Sequence, residues 1–311
     1  MNTKIAVTVV IPAYNRAHTI ERCLKSVLSQ SYPPAEIIVV DDASTDRTRE
    51  RVLAVSDQRI RCIRLAQNSG AQAARNEGVR QARYDWIAFQ DSDDEWLPDR
   101  LRLCVEALTE MQFQSDAVIH GDCLVFKEPT GSGHLWTLPL VEGATGYRAV
   151  LSNPGPMFQA LFVSKRQLHN CGYLDEQVPS YQEWDTAILL AKRCRFRHIR
   201  TPLFIYHIHQ GETISKNMMR DIRGYEYIIR KHEQEIRSVC GLDVWERHLR
   251  YQLHRALIYR CWDIATRCLN DLEQSRCAVH PALKVMVRLR IGSRHVVHAG
   301  RVYRWFRKSA K

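Results

Sequence analysis

The first hundred residues alternate between short apolar runs and segments in which apolar residues recur at helical spacing. The runs are rich in β-branched residues, which is typical of parallel strands covered on both faces. They are Ile5–Ile11, Ile37–Val40, Ile60–Leu65 and Trp86–Phe89. Between the first two runs, Ile20, Leu24 and Val27 mark one face of a helix. This alternation predicts an α/β domain with a largely parallel sheet.

Polar side chains follow three of these four predicted strands. They are Tyr14 and Asn15 after the first strand, Asp41 and Asp42 after the second, and Asp91, Ser92 and Asp93 after the fourth. In parallel sheets, ligands bind beyond the carboxyl ends of the strands. Side chains alternate along a strand, so Asp91 and Asp93 should leave it on the same face. Two such carboxylates suit a divalent cation, which proteins commonly hold with one or two carboxylates plus substrate phosphates.

Plainer interpretations of these acidic groups stay open at this point. Asp91 and Asp93 could belong to a charged loop that caps the next helix. A phosphatase with an aspartate nucleophile also places Asp-x-Asp after a strand, although here Asp94 and Glu95 follow directly. One carboxylate of Asp41 and Asp42 could accept a hydrogen bond from a nucleobase, or the pair could only stabilise the start of a helix.

Three further groups could carry chemistry. Arg75 lies near a predicted helix start and could bind diphosphate oxygens, or be a solvated surface arginine. Glu183 and Asp185 stand at the start of another predicted helix, where a carboxylate could act as a general base or simply cap the helix. His207 and His209 follow a predicted strand over Leu203–His207 and could bind metal or phosphate, or be structural.

The order of the motifs is more specific than any one of them. Four segments together strongly resemble family 2 glycosyltransferases: Val9–Arg16, Ile38–Asp46, Asn68–Asn76 and Phe89–Asp94. The resemblance covers about the first 215 residues. It implies a GT-A fold, a nucleotide-sugar donor (a UDP-sugar is expected), a divalent cation (Mn or Mg) and transfer with inversion. The acceptor implied is a hydroxyl of a glycan or of a lipid-linked molecule in bacterial cell-surface polysaccharide synthesis.

The resemblance also implies roles for residues at matching positions. Those expected at the donor are Pro12, Ala13 and Tyr14 in the nucleotide pocket, Asp42 at the base, Arg75 close to the donor, and Asp91 with Ser92 near the ribose or sugar. Asp93 and His207 are expected to bind the metal, and His207 loosely matches a late histidine of some relatives. The family usually has Glu-Asp where this chain has Gln182-Glu183. The role of base then falls to Glu183, with Asp185 in reserve.

The net positive charge of the chain comes from its C-terminal third. Residues 216–311 hold 21 Lys and Arg against 9 Asp and Glu, whereas residues 1–215 hold 24 against 25. We therefore divide the chain into a GT-A domain over 1–215 and a basic helical region over 216–311. Within 281–311, Val296, Ala299, Tyr303 and Phe306 fall on one helical stripe among basic residues. Such a helix either binds an anionic membrane surface or packs on the domain.

Two other functions stay open on the sequence alone. One is a nucleotide-binding module whose basic tail binds nucleic acid or membrane, and the other is a sugar nucleotidyltransferase. No nucleic-acid motif occurs, so no nucleic-acid partner is expected. No signal-peptide pattern and no run of about 18 apolar residues occurs. The expected location is cytoplasmic, with peripheral contact at the inner face of the cytoplasmic membrane.

Overall fold

The computed structural model describes residues 5–128, 130–209 and 217–292. Two compact units account for them, one within Met1–Gln177 and Gln182–Gly211, the other within Val178–Tyr181 and Glu212–Lys311. The domain boundary expected at residue 215 and the tail residues 293–311 lie outside the described residues. Within the described part, no helix combines the length and hydropathy needed to cross a membrane.

The first unit opens with four parallel strands, each followed by a helix or a loop at one edge. The strands are β1 (Val7–Ala13), β2 (Glu36–Asp41), β3 (Ile60–Arg64) and β4 (Trp86–Phe89). The helices are α1 (Ile20–Leu28), α2 (Thr48–Leu53) and α3 (Ala71–Gln81). The strands lie in the order β3-β2-β1-β4, and every neighbouring pair is parallel. The expected α/β architecture is confirmed.

The second half of this sheet is mixed. Its elements are β5 (Glu95–Trp96), α4 (Arg100–Glu110), β6 (Ala117–Lys127), β7 (Ser132–Trp136), α5 (Gly146–Ser152), β8 (Phe162–Ser164), α6 (Lys165–Asn170), α7 (Gln182–Ala191) and β9 (Arg195–Ile208). Strand β8 runs antiparallel to β4 and to β6, and β9 is parallel to β6. The short strand β5 pairs antiparallel with β9, so the loop after β4 comes to lie along the end of β9.

The core of the first unit is built from the apolar runs that predicted the strands. Every residue of β1 and β2 is buried, because helices cover both faces of these strands. Leu24 of α1 and Leu101 of α4 pack in the same cluster as Val39 and Phe204. The carboxyl ends of β1, β2 and β4 are thereby held side by side on a rigid base.

The second unit is helical among its described residues, as expected for the C-terminal region. Its helices are α8 (Met218–Lys231), the short turn α9 (Glu233–Glu235), a π-helical turn at Ile236–Cys240, α10 (Leu242–Tyr259), α11 (Trp262–Gln274) and α12 (Pro281–Arg288). Helix α8 approaches the segment before α7 closely, since a Cβ on Gly224 would clash with the backbone of Ser180. Helix α12 buries only Val287.

Candidate active site

The polar residues after β1, β2 and β4 meet at one edge of the sheet, because these strands are parallel neighbours. Of the predicted nucleotide-pocket residues, Pro12 and Ala13 are buried strand positions, whereas the Tyr14 side chain is exposed. Tyr14 is thus the one of the three that offers its side chain to a ligand. Ser92 is buried in the loop after β4.

Asn15 ties the loop after β1 to the loop after β2. Its backbone has a φ of 53°, a left-handed conformation that asparagine tolerates better than most residues. The backbone N–H of Asn15 donates to Ser44 Oγ at 3.0 Å, and Asn15 Oδ1 accepts from the backbone N–H of Thr45 at 2.8 Å. These bonds give the loop beside Tyr14 a fixed shape.

Asp42 anchors the start of α3. Its carboxylate accepts hydrogen bonds from the backbone N–H groups of Ser69 at 2.7 Å and Gly70 at 2.8 Å. Gly70 has a φ of 91°, which a side chain would disfavour, so glycine suits the turn into the helix. Asp42 therefore positions the helix that carries Arg75. Its expected contact with a nucleobase stays a prediction.

Buried Arg75 and partly exposed Asp91 form an ion pair. Arg75 Nη2 lies 2.6 Å from Asp91 Oδ1, and Nη1 donates to Gln72 Oε1 at 2.8 Å. The guanidinium also stacks 4.2 Å from the ring centre of Phe158. Burial raises the pKa of Asp91; the charge of Arg75 opposes this rise and that of Asp93 adds to it. The structure thus brings together two of the predicted donor residues.

Asp93 is shared by two nitrogen groups. Its Oδ2 atom lies 3.2 Å from Arg16 Nη2 and 3.2 Å from His209 Nε2. Burial alone would raise the pKa of Asp93, but the hydrogen bond with His209 and the charge of Arg16 lower it. The carboxylate is therefore kept ionised, which is the form that binds a metal.

The histidine beside Asp93 is His209, whereas the expected metal ligand was His207. His207 Nε2 lies 2.8 Å from Glu95 Oε1 and its Nδ1 lies 3.3 Å from Glu128 Oε1. The backbone N–H of His207 donates to Asp94 Oδ1 at 2.8 Å. Asp94 and Glu95 are thus bonded to His207, near the end of β9. Asp93 is bonded to His209, two residues further along. In this register, the residue whose ring reaches Asp93 is the second histidine.

The side chains at Asp93 are of types that bind a divalent cation, but among the described residues they supply only some of the ligands that such an ion needs. Asp93 and His209 offer one carboxylate and one imidazole, which are both common ligands of such ions. Among the described residues, no three His, Cys, Asp or Glu side chains converge as a metal site. The remaining positions would fall to diphosphate oxygens and water, as is usual for magnesium and manganese in nucleotide sites.

Helix α7 brings Glu183 to the same site. Burial raises the pKa of Glu183; a hydrogen bond from its own backbone and the charge of Arg75 lower it, and the charge of Asp91 raises it again. These interactions place Glu183 within electrostatic range of the Arg75–Asp91 pair. Asp185 is almost completely buried on the other side of the helix. Glu183, which is partly exposed, is the better placed of the two to meet a substrate.

Two arginines near Asp93 were not singled out from the sequence. Arg16 ends the first quoted motif, so its position was visible, but nothing in that motif shows which way the side chain turns. Arg22 lies on α1, where helical spacing predicts only a solvated face. Its Nη2 donates to the backbone oxygen of Asp93 at 2.7 Å and its Nη1 lies 2.9 Å from Glu128 Oε1.

Comparison with known proteins identifies the class of protein to which this fold and candidate site belong. Residues 8–145 match the family model described as Glycosyl transferase family 2. The chain is 30% identical over 205 residues to the uncharacterized glycosyltransferase YwdF of Bacillus subtilis, covering 64% of this chain and 73% of that one. The chain belongs to glycosyltransferase family 2, as its motifs predicted.

Other relatives extend the comparison. WfaP of Escherichia coli, named a UDP-Glc:alpha-D-GlcNAc-diphosphoundecaprenol beta-1,3-glucosyltransferase, is 29% identical over 219 residues, covering 70% of this chain and 82% of that one. Two bacterial polysaccharide-synthesis proteins share 49% and 43% identity over shorter regions, and the chain spans only 29% and 44% of their lengths.

Solved structures support the expected GT-A fold. The crystal structure of S. aureus TarS residues 1–349 in complex with UDP-GlcNAc superposes with a TM-score of 0.60 at 18% identity. The match covers 89% of this chain and 93% of that one. The predicted GT-A architecture is confirmed by this likeness in fold.

Proposed function

We propose that this protein transfers a sugar from a UDP-sugar to a hydroxyl of a glycan or lipid-linked acceptor in polysaccharide synthesis. The observation that carries this proposal is the convergence of Asp91, Arg75 and Glu183 at the edge that also holds Asp93. The UDP-GlcNAc complex of TarS supports the choice of donor, and the name of WfaP supports a diphospholipid acceptor. We further propose inversion at the anomeric carbon and dependence on manganese or magnesium.

In this mechanism each side chain has one task. Asp42 and Tyr14 shape the nucleotide site, while the Arg75–Asp91 pair lies beside the donor sugar. Glu183 accepts the proton of the acceptor hydroxyl as that oxygen attacks the anomeric carbon from the face opposite the leaving group. A divalent cation held by Asp93 and His209 would supply positive charge to the departing diphosphate. Asp185, which is buried in α7, stays in reserve as the base.

The first test is release of nucleoside diphosphate by the purified protein from a panel of nucleotide sugars, with Mn²⁺ or Mg²⁺ and again with chelator. We expect metal-dependent release of UDP. Asp93→Ala and Glu183→Gln should each lose at least about a hundredfold in rate, the scale of a lost catalytic group. Glu106→Gln, at an exposed glutamate of α4, is the matched control and should keep full activity.

Other products would point to other functions. Release of pyrophosphate would identify a nucleotidyltransferase instead. If no donor is turned over and calorimetry shows no nucleotide-sugar binding, the donor site has been assigned wrongly. Near-normal turnover by Glu183→Gln would remove Glu183 from the role of base, and Asp185→Asn would then be the next variant.

A second test decides between the two histidines as metal ligand. We expect His209→Ala to weaken Mn²⁺ binding by about tenfold or more, because the His209 ring lies against Asp93. Electron paramagnetic resonance measures this binding. His207→Ala should change it much less, since that ring is bound to Glu95. The opposite ranking would restore His207 as the ligand.

We also propose that the protein works at the inner face of the cytoplasmic membrane, with the basic segment 281–311 touching anionic lipid. A lipid-linked acceptor would be presented there. The basic residues that support this proposal are concentrated beyond Arg276, where no acidic residue occurs.

A further inference from the structure

Arg16 bridges two loops of the site. Its backbone N–H donates to Thr48 Oγ1 at 2.7 Å, which fixes the position of the Arg16 backbone. Its Nη1 donates to the backbone oxygens of Tyr14 at 3.2 Å and Asn15 at 3.4 Å. Its Nη2 reaches across to Asp93 Oδ2 at 3.2 Å. A guanidinium is therefore held between the proposed nucleotide loop and the proposed metal carboxylate.

We propose that Arg16 is a ligand of the donor diphosphate. When donor and metal bind, its guanidinium leaves the Asp93 carboxylate and binds the phosphate oxygens. This inference rests on the proposed function. Asp93 Oδ2 already has a second partner in His209, so the carboxylate is not left unpaired when Arg16 leaves. A divalent cation on Asp93 would repel the guanidinium, which would then turn to the anionic phosphates.

Arg75 and Arg22, which also lie at the site, pair with carboxylates other than that of Asp93. Arg75 is buried, with Asp91, Gln72 and the Phe158 ring around its guanidinium. Moving it would break the ion pair with Asp91 and take the guanidinium out of its buried position. Arg22 is engaged by Glu128, Glu95 and the backbone of Asp93. The Arg16 side chain is 20% exposed, and its Nη1 donates to the backbone oxygens of Tyr14 and Asn15 in its own loop.

The chemistry explains why such a group is needed. As the acceptor oxygen bonds to the anomeric carbon, the bond from that carbon to the β-phosphate oxygen breaks and its electron pair stays on the phosphate. A nucleoside diphosphate then carries more negative charge than one divalent cation neutralises. A guanidinium binds phosphate oxygens through two parallel hydrogen bonds, which suits the departing group.

Two binding measurements on Arg16→Gln test the exchange. With saturating Mn²⁺, we expect UDP to bind about tenfold more weakly by calorimetry, the scale of a lost charge-assisted hydrogen bond. Without nucleotide, we expect Mn²⁺ alone to bind more tightly, because the competing guanidinium is gone from Asp93. Arg16→Lys should retain part of the UDP affinity, since it keeps the charge but loses the paired donors.

The control is Arg51→Gln, at an exposed arginine that pairs with exposed Glu21, and it should change neither affinity. Unchanged UDP affinity in Arg16→Gln would overturn the role of Arg16. So would a parallel loss of UDP and Mn²⁺ binding, which indicates a structural role. If the unmodified protein binds no UDP with Mn²⁺, the proposed function fails together with this inference. If Arg16→Gln does not fold, Arg16→Lys decides by the same two measurements.

Discussion

At Glu183, burial and two neighbouring charges act on a single carboxyl group. Burial penalises the ionised form, the charge of Arg75 favours it, and the charge of Asp91 disfavours it; together they raise the pKa of Glu183. A carboxylate with a raised pKa holds a proton more strongly once it has accepted one, which helps a general base. The extra methylene, compared with the aspartate usual in the family, is accommodated at a helix start that faces the Arg75–Asp91 pair.

The raised pKa of Glu183 predicts a shifted pH profile. A base must be ionised, so activity is lost as the pH falls through its pKa. We expect the acidic limb of kcat/KM to lie above about pH 4.3, the ordinary value for glutamate. Asp91→Asn removes a charge that raises this pKa, so the limb of its residual activity should move to lower pH. An acidic limb of kcat/KM at or below the ordinary pKa of glutamate contradicts the assignment of Glu183 as base. So does an acidic limb that persists in Glu183→Gln.

At the scale of elements, β1, β2 and β4 could be predicted because buried parallel strands are continuous apolar runs. Strand β7 could not be, since it is exposed throughout and lacks alternation. Strand β9 begins at Arg195, well before the expected start at Leu203. The choice between His207 and His209 depends on how β5 pairs with β9, and this pairing is long-range, so local pattern does not encode it.

The packing of α3 on the sheet gives a prediction at this scale. A Cβ at Gly78 would clash with Val10 Cγ1 and lie 3.3 Å from Val40 Cγ2. We expect Gly78→Ala to destabilise the protein by about 1–3 kcal/mol in urea unfolding, despite the better helix propensity of alanine. Activity should fall as well, because α3 carries Arg75.

The control for this prediction is Gln81→Ala at the exposed end of α3. It should stay within about 0.5 kcal/mol of the unmodified protein. If Gly78→Ala is as stable as the unmodified protein or more stable, α3 can shift on the sheet at little cost, and its contact with β1 is looser than the distances indicate.

For the whole molecule, the net charge is divided unevenly along the chain. Residues 1–215 are nearly neutral overall, which suits a unit whose charges pair with each other around the site. Residues 216–311 hold 21 basic and 9 acidic residues, which gives a net charge of +12. In the described part of the C-terminal region, α12 exposes Val285, and Leu289 just beyond it is 66% exposed. Arg288 and Arg290 stand beside these apolar side chains. Apolar groups flanked by arginines favour a lipid surface.

The last prediction concerns this surface. Removing residues 281–311 should abolish flotation of the protein with vesicles that contain phosphatidylglycerol, while release of UDP from donor in solution persists, since no proposed site residue lies in the segment. Because the attraction is partly electrostatic, binding of the full chain should weaken with salt and be slight on neutral vesicles. The double variant Arg288→Gln with Arg290→Gln keeps the chain length and should weaken binding in the same direction. Unchanged vesicle binding by the shortened chain would mean that the segment only packs on the protein, and any contact with lipid would then have to come from other residues.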